Sequence, residues 1–202
     1  MTTPSAQSRK LTLADIADVR AYERERPAFR AAVMETKRRR RISFGTIITL
    51  MFENRETMRL QVQEMARVEK LVTDEAIQLE IDTYNSMIPN PGQLCATLFL
   101  ELTSDDQMRE WLPKLVGIER SFTVVLPNGD RVHSITEEQH AAQLTREEVT
   151  AAVHYIRFEF TPEQVESFAN GVVRVDTEHP DYLESVELGE STVAELLTDL
   201  RP

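Results

Sequence analysis

The stretch from Leu94 to Leu102 constrains this chain more than any other. Leu94, Ala96, Leu98, Leu100 and Leu102 recur at every second position, with Cys95, Thr97, Phe99 and Glu101 between them. A period of two places the first set on one side of a strand and the second on the other, and both sets contain apolar residues. The segment therefore predicts a strand covered on most of both faces, an interior member of a sheet. Such a strand needs partners beside it and layers above and below.

Partners are legible on either side. Ile42 to Glu53 is rich in β-branched and aromatic residues around Gly45 and predicts a strand broken or bulged at the glycine. Ser121–Leu126 and Arg131–Ile135 flank Pro127-Asn128-Gly129-Asp130 and predict a hairpin, because Asn-Gly tolerates the positive φ of a tight turn. His154 to Phe160 predicts a strand with His154, Ile156, Phe158 and Phe160 on one side, and Val172 to Asp176 is again strand-like.

Helices are expected between these strands. Thr12, with Asp15 three residues on, begins a short helix carrying Leu13, Ile16 and Val19, and Pro27 suits the first turn of a second one. Met58, Leu60 and Val62 alternate as a strand would, but the Glu-, Gln-, Arg- and Met-rich composition favours a helix over 55–72 capped by Asn54. Thr73 caps a helix with an apolar stripe at Ile77, Ile81, Tyr84 and Ile88, ended by Pro89-Asn90-Pro91-Gly92. Further starts lie at Ser104, at the capping box of Thr145-Arg146-Glu147-Glu148, at Thr161-Pro162 and near Ser191. This irregular alternation predicts an α+β fold: a mixed, largely antiparallel sheet with an N-terminal helical layer and short helices between strands. Residues 1–10 are expected to be a disordered tail, and 11–202 a single α+β domain.

Charge is divided along the chain. The net charge is −11, yet residues 1–70 carry 15 Lys and Arg against 9 Asp and Glu, and residues 71–202 carry 8 against 25. The positive excess gathers at Lys37-Arg38-Arg39-Arg40-Arg41. Three readings are open. A helix C-terminus docked on the acidic remainder of the fold ranks first, because cations favour the unpaired carbonyls there. An anion site ranks second, since arginine offers forked donors to phosphate and carboxylate. Weak nucleic-acid binding ranks last, because the acidic remainder would repel a duplex.

Several chemistries are excluded. The six glycines are isolated, so no phosphate-cradling loop exists. With one cysteine, Cys95, neither a disulfide nor a thiolate zinc site can form within the chain, and a mid-strand thiol is usually an inert small hydrophobe. Glu137 and His140 form a single Glu-x-x-His pair, a weak metal candidate because di-iron bundles use that pair twice. His154, at the start of its strand, is expected at the core edge with its tip hydrogen-bonded. The richest polar cluster runs from Glu53-Asn54-Arg55-Glu56-Thr57 to Gln61, Gln63 and Glu64. Asn54, Arg55, Gln63 and Glu64, together with Arg38 and Arg41 of the basic run, are the candidate ligand-binding residues. Against this stands the plainer expectation of a helix cap and a solvated face. No catalytic residue is assigned and no cofactor is expected. The polar residues before Leu11 contain no apolar signal region, and a reducing, cytoplasmic setting is the simplest expectation.

Phe52-Glu53-Asn54-Arg55-Glu56-Thr57, Gln61-Val62-Gln63-Glu64-Met65, Tyr84-Asn85 with Ile88-Pro89, Ala96-Thr97-Leu98-Phe99-Leu100-Glu101, and Leu144-Thr145-Arg146-Glu147 through Phe158 together resemble an uncharacterised bacterial family of about this chain's length. The family is a domain of unknown function whose members are often encoded beside rubrerythrin-like iron proteins and heterodisulfide-reductase-like oxidoreductases. The resemblance implies an accessory, non-catalytic role beside a redox partner protein in peroxide or oxidative-stress defence. A homodimer is also among the expected partners; a membrane is not, and nucleic acid is disfavoured.

Overall fold

A computed structural model of the protein describes residues 9–136 and 149–201. The N-terminal layer holds three helices: α1 (Val19–Arg40), α2 (Arg55–Glu69) and α3 (Asp74–Asn85). The second helix starts with its cap at Asp18, well before the expected Pro27. Leu13–Asp15 is only a 3-10 turn, and Asp18 starts α1 by accepting hydrogen bonds from the Arg20 and Ala21 amides at 2.9 Å. Pro27 lies inside the helix on its exposed side, where water can serve the carbonyl left without an N–H partner. The helical reading of 55–72 holds over Arg55–Glu69. Asn54 caps it by accepting from the Thr57 amide at 3.0 Å, and Lys70 closes it in the left-handed region at φ 57°.

The described residues also form nine strands, with α4 (Asp105–Lys114), α5 (Pro162–Ala169) and α6 (Glu190–Leu200) among and after them. They are β1 (Arg41–Phe44), β2 (Ile48–Glu53), β3 (Gln93–Leu100), β4 (Phe122–Val125), β5 (Arg131–His133), β6 (Ile135–Thr136), β7 (Val153–Glu159), β8 (Arg174–His179) and β9 (Tyr182–Glu187). They form two sheets rather than one, ordered β1-β2-β3-β7-β6 and β5-β4-β8-β9, and every pairing among the described residues is antiparallel. The expected strand over 131–135 is divided at Ser134, passing from one sheet to the other. There the Ser134 amide donates to the Phe122 carbonyl at 2.8 Å and its hydroxyl to that of Glu119 at 2.9 Å. At the opposite edges, the Tyr182 hydroxyl donates to the Phe44 carbonyl at 2.6 Å. The expected break at Gly45 is a full hairpin reversal between β1 and β2. A Cβ at Gly45 (φ 56°) would meet that same tyrosine hydroxyl at 2.5 Å.

Alternation along the strands sorts residues onto two faces of the five-stranded sheet. Phe44, Leu50, Phe52, Leu98, Ile156 and Phe158 face the second sheet, α5 and α6, and share a core with Phe122, Val175, Phe168 and Leu196. Phe44 and Phe122 meet edge to face at 5.4 Å. His154 lies on this side too, buried, with Nε2 2.9 Å from the Ala151 carbonyl and 2.8 Å from the Thr150 hydroxyl, as its strand position predicts. The opposite face carries Arg41, Met51, Glu53, Cys95, Thr97, Phe99 and Tyr155. The N-terminal layer covers it, with a smaller core of Leu11, Met58, Val62, Ile81, Met87 and Ile88.

Candidate functional site

The basic run ends α1 and begins β1, and its arginines meet carboxylates of their own chain. Arg40 has no exposed surface. Its Nε donates to Glu195 Oε1 at 2.9 Å and its Nη1 to Asp199 Oδ2 at 2.6 Å, both acceptors on α6. Arg39 reaches Glu195 at 3.1 Å, Arg38 pairs with Glu35, and Arg41 pairs with Glu101. Burial pushes Glu195 up, but hydrogen bonds and charge from Arg40 and Arg39 outweigh it and hold the carboxyl below its ordinary range. Burial also dominates at Asp199 and raises it, with Arg40 pulling the other way. The run is the docked helix end of the first reading, a clamp between α1 and α6.

Three of the expected ligand residues on and before α2 hold the chain's own N-terminal segment or α1, and Asn54 is the α2 cap. Arg55 pairs with Asp15 at 2.5 Å. Gln63 is buried and brackets Ala17, accepting from its amide at 2.7 Å and donating to its carbonyl at 3.2 Å. Glu64 accepts from Arg26 Nε at 2.7 Å and from the Tyr22 hydroxyl at 2.6 Å. The Arg26 hydrogen bond outweighs the upward push of burial and, joined by that of Tyr22, holds Glu64 down at about 2, while burial and then Glu64 push Tyr22 above the ordinary phenol range. The structure does not gather Arg55, Gln63 and Glu64 with Arg38 into one hollow. Glu137, His140 and the Thr145 capping box lie outside the described residues. Among the described residues no group of three or more His, Cys, Asp or Glu side chains could hold a metal, and no helix is long and apolar enough to cross a membrane.

A different constellation does converge. Between the polar sheet face and the N-terminal layer lies a cavity of about 280 Å³. Its floor follows the strand register: Arg41 is opposite Met51, Met51 opposite Thr97, and Thr97 opposite Tyr155, so one row crosses four strands. Phe99 and Val153 flank the row on one side and Glu53 on the other. Met34 and Lys37 from α1, Met58 and Gln61 from α2, and Tyr84 from α3 close the cavity above.

Glu53 is the unusual member. It is 4% exposed; Oε1 accepts from the Thr97 hydroxyl at 2.8 Å, and Oε2 has no hydrogen-bond partner among the described residues. A buried carboxylate oxygen without a donor is costly, and native structures seldom keep one without reason. Tyr155 stands close by: burial, then the Tyr84 phenol and the Glu53 carboxylate, push its pKa up, so it stays a neutral O–H at physiological pH. Gln61 Nε2 lies 3.5 Å from the Tyr84 hydroxyl. At the other end the Arg41 guanidinium lies 6.0 Å from the centre of the Phe99 ring. Lys37 is half-buried and meets no carboxylate of the described residues.

Of the residues singled out from the sequence, Arg41 lines this cavity, as do Glu53 and Gln61 of the polar cluster. Lys37 was singled out only as part of the basic run, and Tyr84, Thr97 and Tyr155 were not put forward as ligand residues. The available signal was alternation: the intervening positions of β3, the strand that reads as covered on most of both faces, include polar Thr97, and β2 and β7 carry Glu53 and Tyr155 beside it.

These features define a class: an antiparallel two-sheet α+β protein in which helices roof a polar cavity on one sheet face. Within that class the chain belongs to the family described as Protein of unknown function (DUF3501), whose model matches residues 10–200. It is also similar to a crystal structure of a novel protein of unknown function from Burkholderia pseudomallei K96243. The two share 32% sequence identity with a TM-score of 0.86, covering 95% of this chain and 99% of that one. No curated protein matches the chain. The bacterial family of unknown function that the sequence motifs indicate is therefore the right one.

Proposed function

We propose that the protein binds a small polar molecule in the cavity between the polar sheet face and the α1–α3 layer. The observation that carries this reading is the Glu53 carboxylate, buried at the cavity wall with Oε2 unpartnered. A concave site with an apolar lining and a few convergent polar groups is the usual form of a ligand pocket. Here Met34, Met51 and Met58 supply the apolar part, and Lys37, Glu53, Gln61, Tyr84 and Tyr155 the polar one. Of the two anion-binding options drawn from the sequence, Arg55 with Gln63 and Glu64 or the Arg38–Arg41 cluster, the cavity supports only the second, through Arg41 and its neighbour Lys37.

Methyl-labelled methionine gives a direct test. Protein carrying ¹³C methyl methionine is titrated with amino acids, amines, mono- and dicarboxylates and phosphate esters. The expected result is that at least one class shifts the Met34, Met51 and Met58 resonances while Met108, on α4, stays fixed. Silence of all three throughout the panel contradicts the reading.

The accessory role beside a redox partner is a second reading. It is supported by the charge: with the arginines of the run matched internally, the net −11 is presented outward and suits a basic partner face. Retention of a redox protein by the immobilised chain at low salt and its release at high salt is the expected outcome; no retention at low salt contradicts it.

A further inference from the structure

Resting on the reading of the cavity as a ligand site, we infer that its ligand is amphoteric: an ω-amino acid-like molecule with a primary ammonium for Glu53 and a carboxylate for Lys37, joined by a short apolar chain. The inference follows from how charge is arranged in the cavity. Glu53 Oε2 is an acceptor with no hydrogen-bond donor among the described residues. Arg41 lines the same cavity but is held elsewhere, paired with Glu101 and set over the Phe99 ring. Glu53 is opposite Cys95 in the β2–β3 register, so Phe99 is four residues further along β3, roughly 13 Å away along the strand. Lys37 lies in the last turn of α1, Arg41 follows that helix as the first residue of β1, and both line the cavity.

Carboxylate and cations come from different elements, Glu53 from the end of β2 and Lys37 and Arg41 from the α1–β1 junction, and Met34, Met51 and Met58 line the same cavity. A simple anion would satisfy Lys37 but leave the Glu53 oxygen unpaired and add a like charge nearby; a simple amine would satisfy Glu53 and gain nothing from Lys37. Only a molecule carrying both groups uses both ends.

Calorimetry with four probes of matched length decides the point: 5-aminopentanoate, pentanoate, pentylamine and glutarate, each with the full chain at low salt. The expected result is that 5-aminopentanoate binds about tenfold or more tightly than each of the others. Glu53→Gln should bring it level with pentanoate, and Lys37→Met should bring it level with pentylamine. The lysine variant alters a half-buried helix position and serves should the Glu53 variant fold poorly. A probe of single charge type that matches 5-aminopentanoate on the unaltered protein overturns the inference, as does an absence of binding by all four. If either occurs while another compound shifts the cavity methionines, the site stands and only the ligand class falls; silence of the methionines to every compound removes both.

Discussion

Replacing Arg40 with methionine removes the cation of the α1–α6 clamp and leaves its two carboxylates in place. Arg40 is fully buried, with charge-assisted hydrogen bonds to Glu195 at 2.9 Å and Asp199 at 2.6 Å. Removing one member of a buried ion pair costs about 3–5 kcal/mol, because the remaining charge has no compensation. Glu195 keeps Arg39 at 3.1 Å and its side chain is 17% exposed, so the stranded group is chiefly Asp199. That places Arg40→Met at the low end, about 3 kcal/mol. At this chain length the loss corresponds to a melting temperature lower by roughly 6–12 °C. Urea unfolding at neutral pH, followed by circular dichroism, measures it. Adding Asp199→Leu to Arg40→Met should recover most of the loss, since a buried pair replaced by packed apolar groups is close to neutral. An Arg40→Met protein within 1 kcal/mol of the unaltered one would refute the reasoning.

Two further outcomes follow from the contacts of α2. Glu64 is held at about 2 against an ordinary 4.5, so its contribution is complete above pH 4.5 and lost as pH falls toward 2. Water still reaches this group, which screens the pair to about 1–2 kcal/mol. Urea unfolding of Glu64→Gln and the unaltered protein should differ at pH 5 and converge near pH 2; a constant gap contradicts the assignment. Gln63→Ala strips both partners from the Ala17 backbone and should cost about 1–3 kcal/mol. Amide exchange at Ala17 should accelerate in parallel, and unchanged exchange there contradicts the bracket.

Local chemistry carried much of the fold into the sequence. Asn54, Thr73, Ser104 and Thr161 each cap the helix they predict, because capping depends on residues three apart. The β3 pattern placed its strand correctly because both faces are buried. What failed was longer in range. Nothing local to Ser134 records that the strand changes sheets there. β9 is largely exposed, so Tyr182–Glu187 lacks the apolar alternation that marks a strand. The site divided the same way. The basic run's docking followed from charge sign and helix position. The cavity depends on Arg41, Met51, Thr97 and Tyr155 falling in one row across four strands, and that register is fixed by tertiary pairing. Arg55, Gln63 and Glu64 look free in sequence, because Asp15, Ala17 and Arg26, their partners, are remote along the chain.

The central claim is that Glu53 serves a ligand and not the fold. The unfolding free energy of Glu53→Gln, measured by urea titration without added ligand at neutral pH, tests it most directly. Gln keeps an oxygen for the Thr97 hydroxyl and removes the buried charge, so the variant should match or exceed the unaltered protein, by up to about 2 kcal/mol, while losing the cavity's preference for an ammonium. A variant less stable by more than about 1 kcal/mol would make Glu53 part of the framework and contradict the account.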